Sequence, residues 1–233
     1  MIRLAIDCAD KAVSCAIVRA GTLLAESFLK SGQTHSQTLM PQIEQALAEA
    51  GLSLQQVDEL AVSCGPGSFT GLRIGIAAVK GLAFAGGKPC RGVSTLHAIA
   101  TAAGNFEGTV CAVMDARCSQ VYNALFSCSG GVLQRLCDDR ALMIDELGRE
   151  LLSVDEPILL IGPGAEICYN KLCEQIGSLS VLSSDPCARY VAAVADEYAA
   201  VEGAALAPSY LRLPQAEREL KAKQQKLSGG DKI

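Results

Sequence analysis

The chain has 233 residues, half of them hydrophobic and 19% charged, enough to bury one large core or two smaller ones. A net charge of −5 and the lack of tryptophan exclude the broad basic field with which a protein grips a phosphate backbone unaided. Eleven cysteines, an odd number with no Cys-x-x-Cys pair, argue against a disulfide framework or a zinc ribbon. Cys8, Cys15, Cys64, Cys111, Cys128 and Cys168 lie in or beside apolar runs and read as small hydrophobes.

The opening MIRLAID carries one positive charge before Asp7 and reads as a strand, not as a leader peptide. Apolar runs at 158–161 and 191–195 are too short for a bilayer, so a cytoplasmic protein is expected. Runs at 2–6, 13–18 and 23–29, broken by Ala20-Gly21, predict an antiparallel meander. A helix is predicted over 36–50, stopped by Gly51, with Leu39, Ile43, Ala46, Leu47 and Ala50 on one face and a kink expected at Pro41.

The most unusual stretch is CGPGSFTGLRIGI from Cys64. An apolar strand turns on Gly65-Pro66-Gly67 into an alanine-rich helix over 70–85, whose first N–H groups Ser68 or Thr70 can cap and an anion could also meet. Gly71, Gly75, Ala78 and Leu82 share a face of mostly small side chains. Gly71, Gly75 and Gly81 together cost the helix on the order of 2 kcal/mol, which close approach of another backbone would offset. That backbone belongs either to the same chain or to a partner. The stretch is neither a Walker A loop nor a Gly-x-Ser-x-Gly elbow. A short strand near 89–92 and a helix over 95–103, capped by Ser94, close the first half.

Past Gly104 the pattern starts again. LAID with Asp7 matches AVMD with Asp115, each followed by a second strand, a glycine turn, a third strand and a helix. Each half then runs from an apolar strand into Gly-Pro-Gly, at 65–67 and 162–164, and on into another helix. This ordered repetition predicts a duplicated α/β protein of two lobes facing each other across a cleft. The expected division is 1–104, an N-terminal lobe, 105–214, a C-terminal lobe, and 215–233, a polar tail. A last helix is predicted from Asp185-Pro186 to 201, then an extended APSYLRL segment.

Two lobes that each begin with an Asp-ended hairpin resemble the actin, hexokinase and sugar-kinase superfamily, with ribonuclease H-like halves. The resemblance implies two duplicated lobes, each a mixed sheet with an antiparallel meander flanked by helices. It also implies nucleotide-binding positions at Asp7, Asp115, Gly162 and Gly164. Ala9 and Arg117 stand where the superfamily's phosphate loops carry glycine, so these positions are read as degenerate. AIDCAD, HSQTLMPQIEQAL, GPGSFTGLRIGIAAVKGLA, GVST, MDARCSQVYNALF and APSYLRL, in order, are similar to the TsaB (YeaZ) family.

That resemblance implies a non-catalytic subunit in the transfer of threonylcarbamoyl to the adenosine next to the anticodon of tRNA. Its implied partners are the catalytic TsaD subunit and the TsaE ATPase, with tRNA met only through the complex and a homodimer formed when alone. The chain has no His-x-x-x-His metal pair, since Leu39 follows His35 and Thr101 follows His97 at that spacing. No cofactor is expected on this chain alone; the boundary with the partner is the place left for ATP or ADP. The implied docking residues are Leu39, Ile43, Leu47, Gly71, Arg73, Gly75, Ala78 and Leu82. Without the resemblance, the same small-residue face would be assigned to the chain's own sheet. Arg73 is left to meet a carboxylate or phosphate near the partner, or to form a plain surface ion pair. The alternative function is a stand-alone ATP-dependent phosphotransferase or a peptidase.

Overall fold

The structure is a computed structural model that describes residues 1–212, so the expected polar tail 215–233, with Arg218, Lys221, Lys223, Lys226 and Lys232, lies outside the described residues. The first series is β1 (Ile2–Asp7), β2 (Val13–Arg19), β3 (Thr22–Leu29), α1 (His35–Glu49), β4 (Glu59–Gly65), α2 (Phe69–Gly86), β5 (Cys90–Ser94) and α3 (Thr95–Ala100). The second is β6 (Gly108–Asp115), β7 (Gln120–Ser129), β8 (Val132–Arg135), β9 (Arg140–Met143), α4 (Ile144–Leu151), β10 (Ile158–Ile161), α5 (Ala165–Leu172), β11 (Leu179–Leu182) and α6 (Ala188–Val194).

The sheets run β3-β2-β1-β4-β5 and β8-β7-β6-β10-β11, the same order in both halves. In each, the first three strands pair antiparallel and the last two ladders are parallel. The duplication read from the sequence is therefore the architecture. β9, which pairs antiparallel with β7, is an addition to the second half that no repeat signal announced. The β2–β3 turn places Ala20 and Gly21 at φ +48° and +83°, the left-handed pair that a two-residue hairpin requires. α1 runs through Pro41 without a break.

Four layers of packing follow. α1 and α2 cover the outer face of the first sheet, setting Leu39, Ile43, Ile76 and Val79 on Leu4, Ile6, Leu60 and Val62. α4 and α5 cover the outer face of the second, with Leu147, Leu151, Cys168 and Leu172 on Cys111, Val113 and Leu160. The inner faces are covered by exchange. α3 lays Leu96, Ile99 and Ala100 on Val110, Ala112 and Phe126 of the second sheet. α6 lays Ala188, Val191 and Ala192 on Ala5, Ala16 and Ala61 of the first. Central strands covered on both faces explain why β10 reads as an unbroken apolar run and β1 and β4 as mostly apolar ones.

A cut at the expected boundary, 104, would therefore part each sheet from the helix on its inner face. α6 is shorter than predicted. It ends at Val194 and is followed by a 3₁₀ turn at Ala195–Glu197. The chain then straightens, and Val201 pairs with Cys90 at the edge of β5 through two 2.8 Å bonds. A buried charge network holds this return to the first sheet. Glu59 accepts from Arg3 Nε at 2.8 Å and from Arg91 Nε at 2.6 Å, while Arg3 Nη1 donates to Ala192 O at 2.9 Å. The six cysteines singled out from the sequence are all buried, and burial pushes the Cys15 thiol up to about 12 and that of Cys64 up to about 11.

Candidate functional site

Two features compete as functional sites: the cleft between the lobes and the outer surface of α1 and α2. The cleft, about 810 Å³, is lined by the β1–β2 turn, the start of α2, the β6–β7 turn and residues 209–212. Asp7 and Asp115 end equivalent strands and make the same local bond. Asp7 Oδ1 accepts from Ala9 N at 3.0 Å and Asp115 Oδ1 from Arg117 N at 2.7 Å. Such aspartate turns replace a backbone turn.

Their environments differ. Asp115 lines the cleft, whereas Asp7 is 1% exposed, behind Ala9, and does not reach it. Burial pushes the Asp7 carboxyl up to about 6, against the pull of the Ala9 amide, and its Oδ2 has no hydrogen-bond partner.

The glycine-rich turns are occupied by the chain's own backbone. Ser68 N, at the start of α2, donates to Ala9 O at 2.7 Å, and Ser68 Oγ accepts from Gly71 N at 3.2 Å as the N-cap. A Cβ on Gly67 would sit 3.0 Å from Ala9 Cβ. In the second lobe Gly164 N donates to Val113 O at 3.1 Å, and a Cβ there would lie 2.9 Å from the Met114 carbonyl carbon. Gly162 takes φ +114°, matching Gly65 at +125°. Gly162 and Gly164 are thus required for packing against β6, and Asp7 is sealed from solvent. Of the four expected nucleotide positions, only Asp115 faces the cleft.

The expected docking face needs a larger correction. Leu39, Ile43 and Leu47 point into the outer core of the first sheet, and Gly71 and Gly75 are buried against Cys8. The backbone whose approach those glycines allow is the chain's own β1–β2 turn. A Cβ on Gly75 would meet Cys8 Cβ at 3.3 Å, and one on Gly71 would fall well inside contact with Cys8 O. Ala78 and Leu82 are half-buried beside the same core. Of the eight residues, only Arg73 is exposed. It meets neither a carboxylate nor a phosphate among the described residues: its guanidinium lies 3.9 Å over the Phe69 ring and its Nε donates to Tyr210 Oη at 2.9 Å.

The outward stripe of α2 is instead Arg73, Ala77, Gly81, Phe84 and Ala85. Phe84 is 95% exposed, and a Cβ on Gly81 would meet nothing within 4 Å. Sequence reasoning missed this stripe because α2 has small residues all round. The available signal was the fourfold spacing of 73, 77, 81 and 85, offset from the glycines that face Cys8.

A family model described as TsaD, tRNA N6-adenosine threonylcarbamoyltransferase, matches residues 29–222. The chain is 29% identical to the tRNA threonylcarbamoyladenosine biosynthesis protein TsaB of Bacillus subtilis (strain 168), over 93% of this chain and 96% of that one. It is 42% identical to TsaB of Escherichia coli (strain K12), over 51% of this chain and 52% of the relative. Among solved structures, YeaZ from Pseudomonas aeruginosa superposes with a TM-score of 0.77 at 28% identity, covering 90% of this chain and 99% of that one. With the duplicated sheets and exchanged helices, these matches make the chain a member of the TsaD family and, within it, of the TsaB (YeaZ) group.

Proposed function

We propose that the chain is a non-catalytic subunit in threonylcarbamoyladenosine formation on tRNA, and that it docks onto a catalytic TsaD subunit through the outward stripe of α2 and the adjoining surface of α1. The observation that carries the docking surface is the fully projecting Phe84 beside the open Gly81. A large aromatic left in water on an otherwise well-packed helix is the usual anchor of a protein interface. Two helices side by side offer on the order of 800 Å² per partner, an ordinary stable interface. The same surface serves self-association when the chain is alone. In the assembled complex TsaE and tRNA are met through TsaD, and ATP or ADP sits at the subunit boundary. That assembly works in the cytoplasm.

The non-catalytic reading is supported by how the candidate reactive groups are used. Ser68 Oγ caps α2; His35 Nε2 bonds to Asp10 O at 2.8 Å; His97 Nδ1 bonds to Tyr198 Oη at 2.9 Å, under Phe126. A peptidase or phosphotransferase would need such groups turned toward a substrate.

The test is mass measurement in solution of this chain mixed with the TsaD of the same cell, for wild type, Gly81→Arg and Phe84→Ala. Wild type should form a complex. Each substitution should weaken it at least about tenfold, as expected for a hot-spot position, with the fold unchanged because neither side chain is buried. A wild-type mixture that stays as separate components refutes the reading. Full-strength binding by both variants would move the interface elsewhere.

A further inference from the structure

Residues 207–212, the described part of the APSYLRL segment, belong to no helix or strand and meet the docking stripe only through Arg73, yet they are tied down at several points. The segment leaves the edge of β5, passes the C-terminal end of β4 and ends on the other lobe. Ser209 N donates to Cys64 O at 2.7 Å, extending the end of β4 by one bond. Gly65 forms the seat: a Cβ there would lie 2.5 Å from Ser209 O, so only glycine leaves room for the segment to pass. The Tyr210 ring stacks on Phe69 at 4.8 Å between centroids, and its hydroxyl takes the Arg73 bond. The Arg212 guanidinium then reaches across to Ala116 O, on the hairpin that follows Asp115 in the second lobe.

We infer that residues 207–212 are a detachable strap, tied to both lobes, that forms one wall of the interlobe cleft and controls access to it. Four features favour a strap over fixed packing. Its ties are hydrogen bonds and one ring stack at the surface, and Ser209 and Tyr210 are exposed. Ser209, Tyr210, Leu211 and Arg212 all line the cleft, so lifting the segment removes a wall without moving either sheet. The floor beneath stays closed, because Ala9 and Leu72 of the first lobe pack against Met114 of the second. Finally, lifting reports at a specific place: the Cys64 carbonyl holds Ser209, and the Cys64 side chain, 9% exposed, shares its core cluster with Leu206, the residue that leads into the strap. A segment tied at two ends should loosen as a unit. Cutting the Arg212 end should therefore free the Ser209 end, three residues back along the chain.

The test uses the full chain as wild type, Arg212→Ala and Tyr210→Ala, with two readouts. One is hydrogen exchange of the Ser209 amide; the other is maleimide labelling of Cys64 followed peptide by peptide. Losing one charge-assisted bond or the ring stack should speed both by about tenfold or more. Cys111, fully buried in the second sheet, should label at the wild-type rate in both variants. Neither side chain is part of a sheet or helix core, and Tyr210→Ala provides the measurement should Arg212→Ala fail to fold. Wild-type exchange at Ser209 and wild-type labelling of Cys64 in the folded variants would overturn the inference. So would a rise at Cys111 in step with Cys64, because that signals general opening of the fold and not release of a strap.

Discussion

Three glycines on α2 face three different environments, so the same substitution should give three different results. Gly81 is open, and alanine there should gain the ordinary helix preference, roughly 0.5–1 kcal/mol, raising Tm by about 1–4 °C for a chain of this size. At Gly75 the new methyl would sit 3.3 Å from Cys8 Cβ and 3.4 Å from its Sγ. The helix gain and the crowding there should cancel to within about 1 kcal/mol. At Gly71 the methyl would enter the Cys8 carbonyl oxygen. That carbonyl belongs to a turn fixed on one side by the Ala9 bond to Asp7 and on the other by the Ser68 bond to Ala9. Making room means breaking at least one of these bonds, about 1 kcal/mol, on top of an overpacking cost of about 1–3 kcal/mol. Set against the helix gain, Gly71→Ala should destabilise by roughly 1–3 kcal/mol. Urea unfolding at unchanged slope gives the ranking directly. If Gly71→Ala proves as stable as Gly81→Ala, the close approach of the β1–β2 turn to α2 is wrong, and so is the assignment of that face to the chain's own sheet.

Asp7 and His97 should give opposite pH slopes. The Asp7 carboxyl is raised to about 6 in the folded chain, so its burial costs nothing below about pH 4, builds as pH rises through 6, and reaches roughly 2–3 kcal/mol at neutral pH. Asp7→Asn should therefore gain on wild type steadily across that window in parallel denaturation curves, and equal slopes would contradict the burial. Burial lowers the pKa of His97, opposed by Glu197, so the folded state prefers the neutral ring and stability should fall as pH drops below about 6.5. Tyr198, Glu197, Arg135 and Asp139 surround that ring, and His97→Gln should flatten the acid limb, whatever its effect at pH 7. Expressed apart, residues 1–104 and 105–212 should each fail to give a cooperative thermal transition, because each lacks a helix on one sheet face; sharp melting of either fragment would refute the exchange.

The order of strands was legible because the two halves repeat each other: LAID and AVMD, then Gly-Pro-Gly at matching places, fixed the pairing that both sheets adopt. What pattern could not reveal was ownership. α3 and α6 are apolar in the expected places, but periodicity says only that a helix has a buried face, not which sheet buries it. The same ambiguity misdirected the docking residues. Leu39, Ile43, Gly71 and Gly75 have the spacing of a buried face, and the resemblance to a family of partner-binding proteins moved them outward. The free residues, Ala77, Gly81 and Phe84, were ordinary by composition. The bond from Arg73 to Tyr210 could not be read either, since the two lie 137 positions apart and no local signal joins them. β9 escaped because Arg140 to Met143 is short and lies at the margin of β7.

The swap of inner-face helices also orders events at the ribosome. N-terminal units ordinarily fold as they emerge, but here the alanines of β1, β2 and β4 remain uncovered until Val194 has cleared the exit tunnel. For most of synthesis the nascent chain holds a finished outer layer over a sheet whose inner face has only α3 on it, a state suited to capture by a general chaperone. Slowing translation late in the message should therefore harm the yield of this protein more than slowing it early.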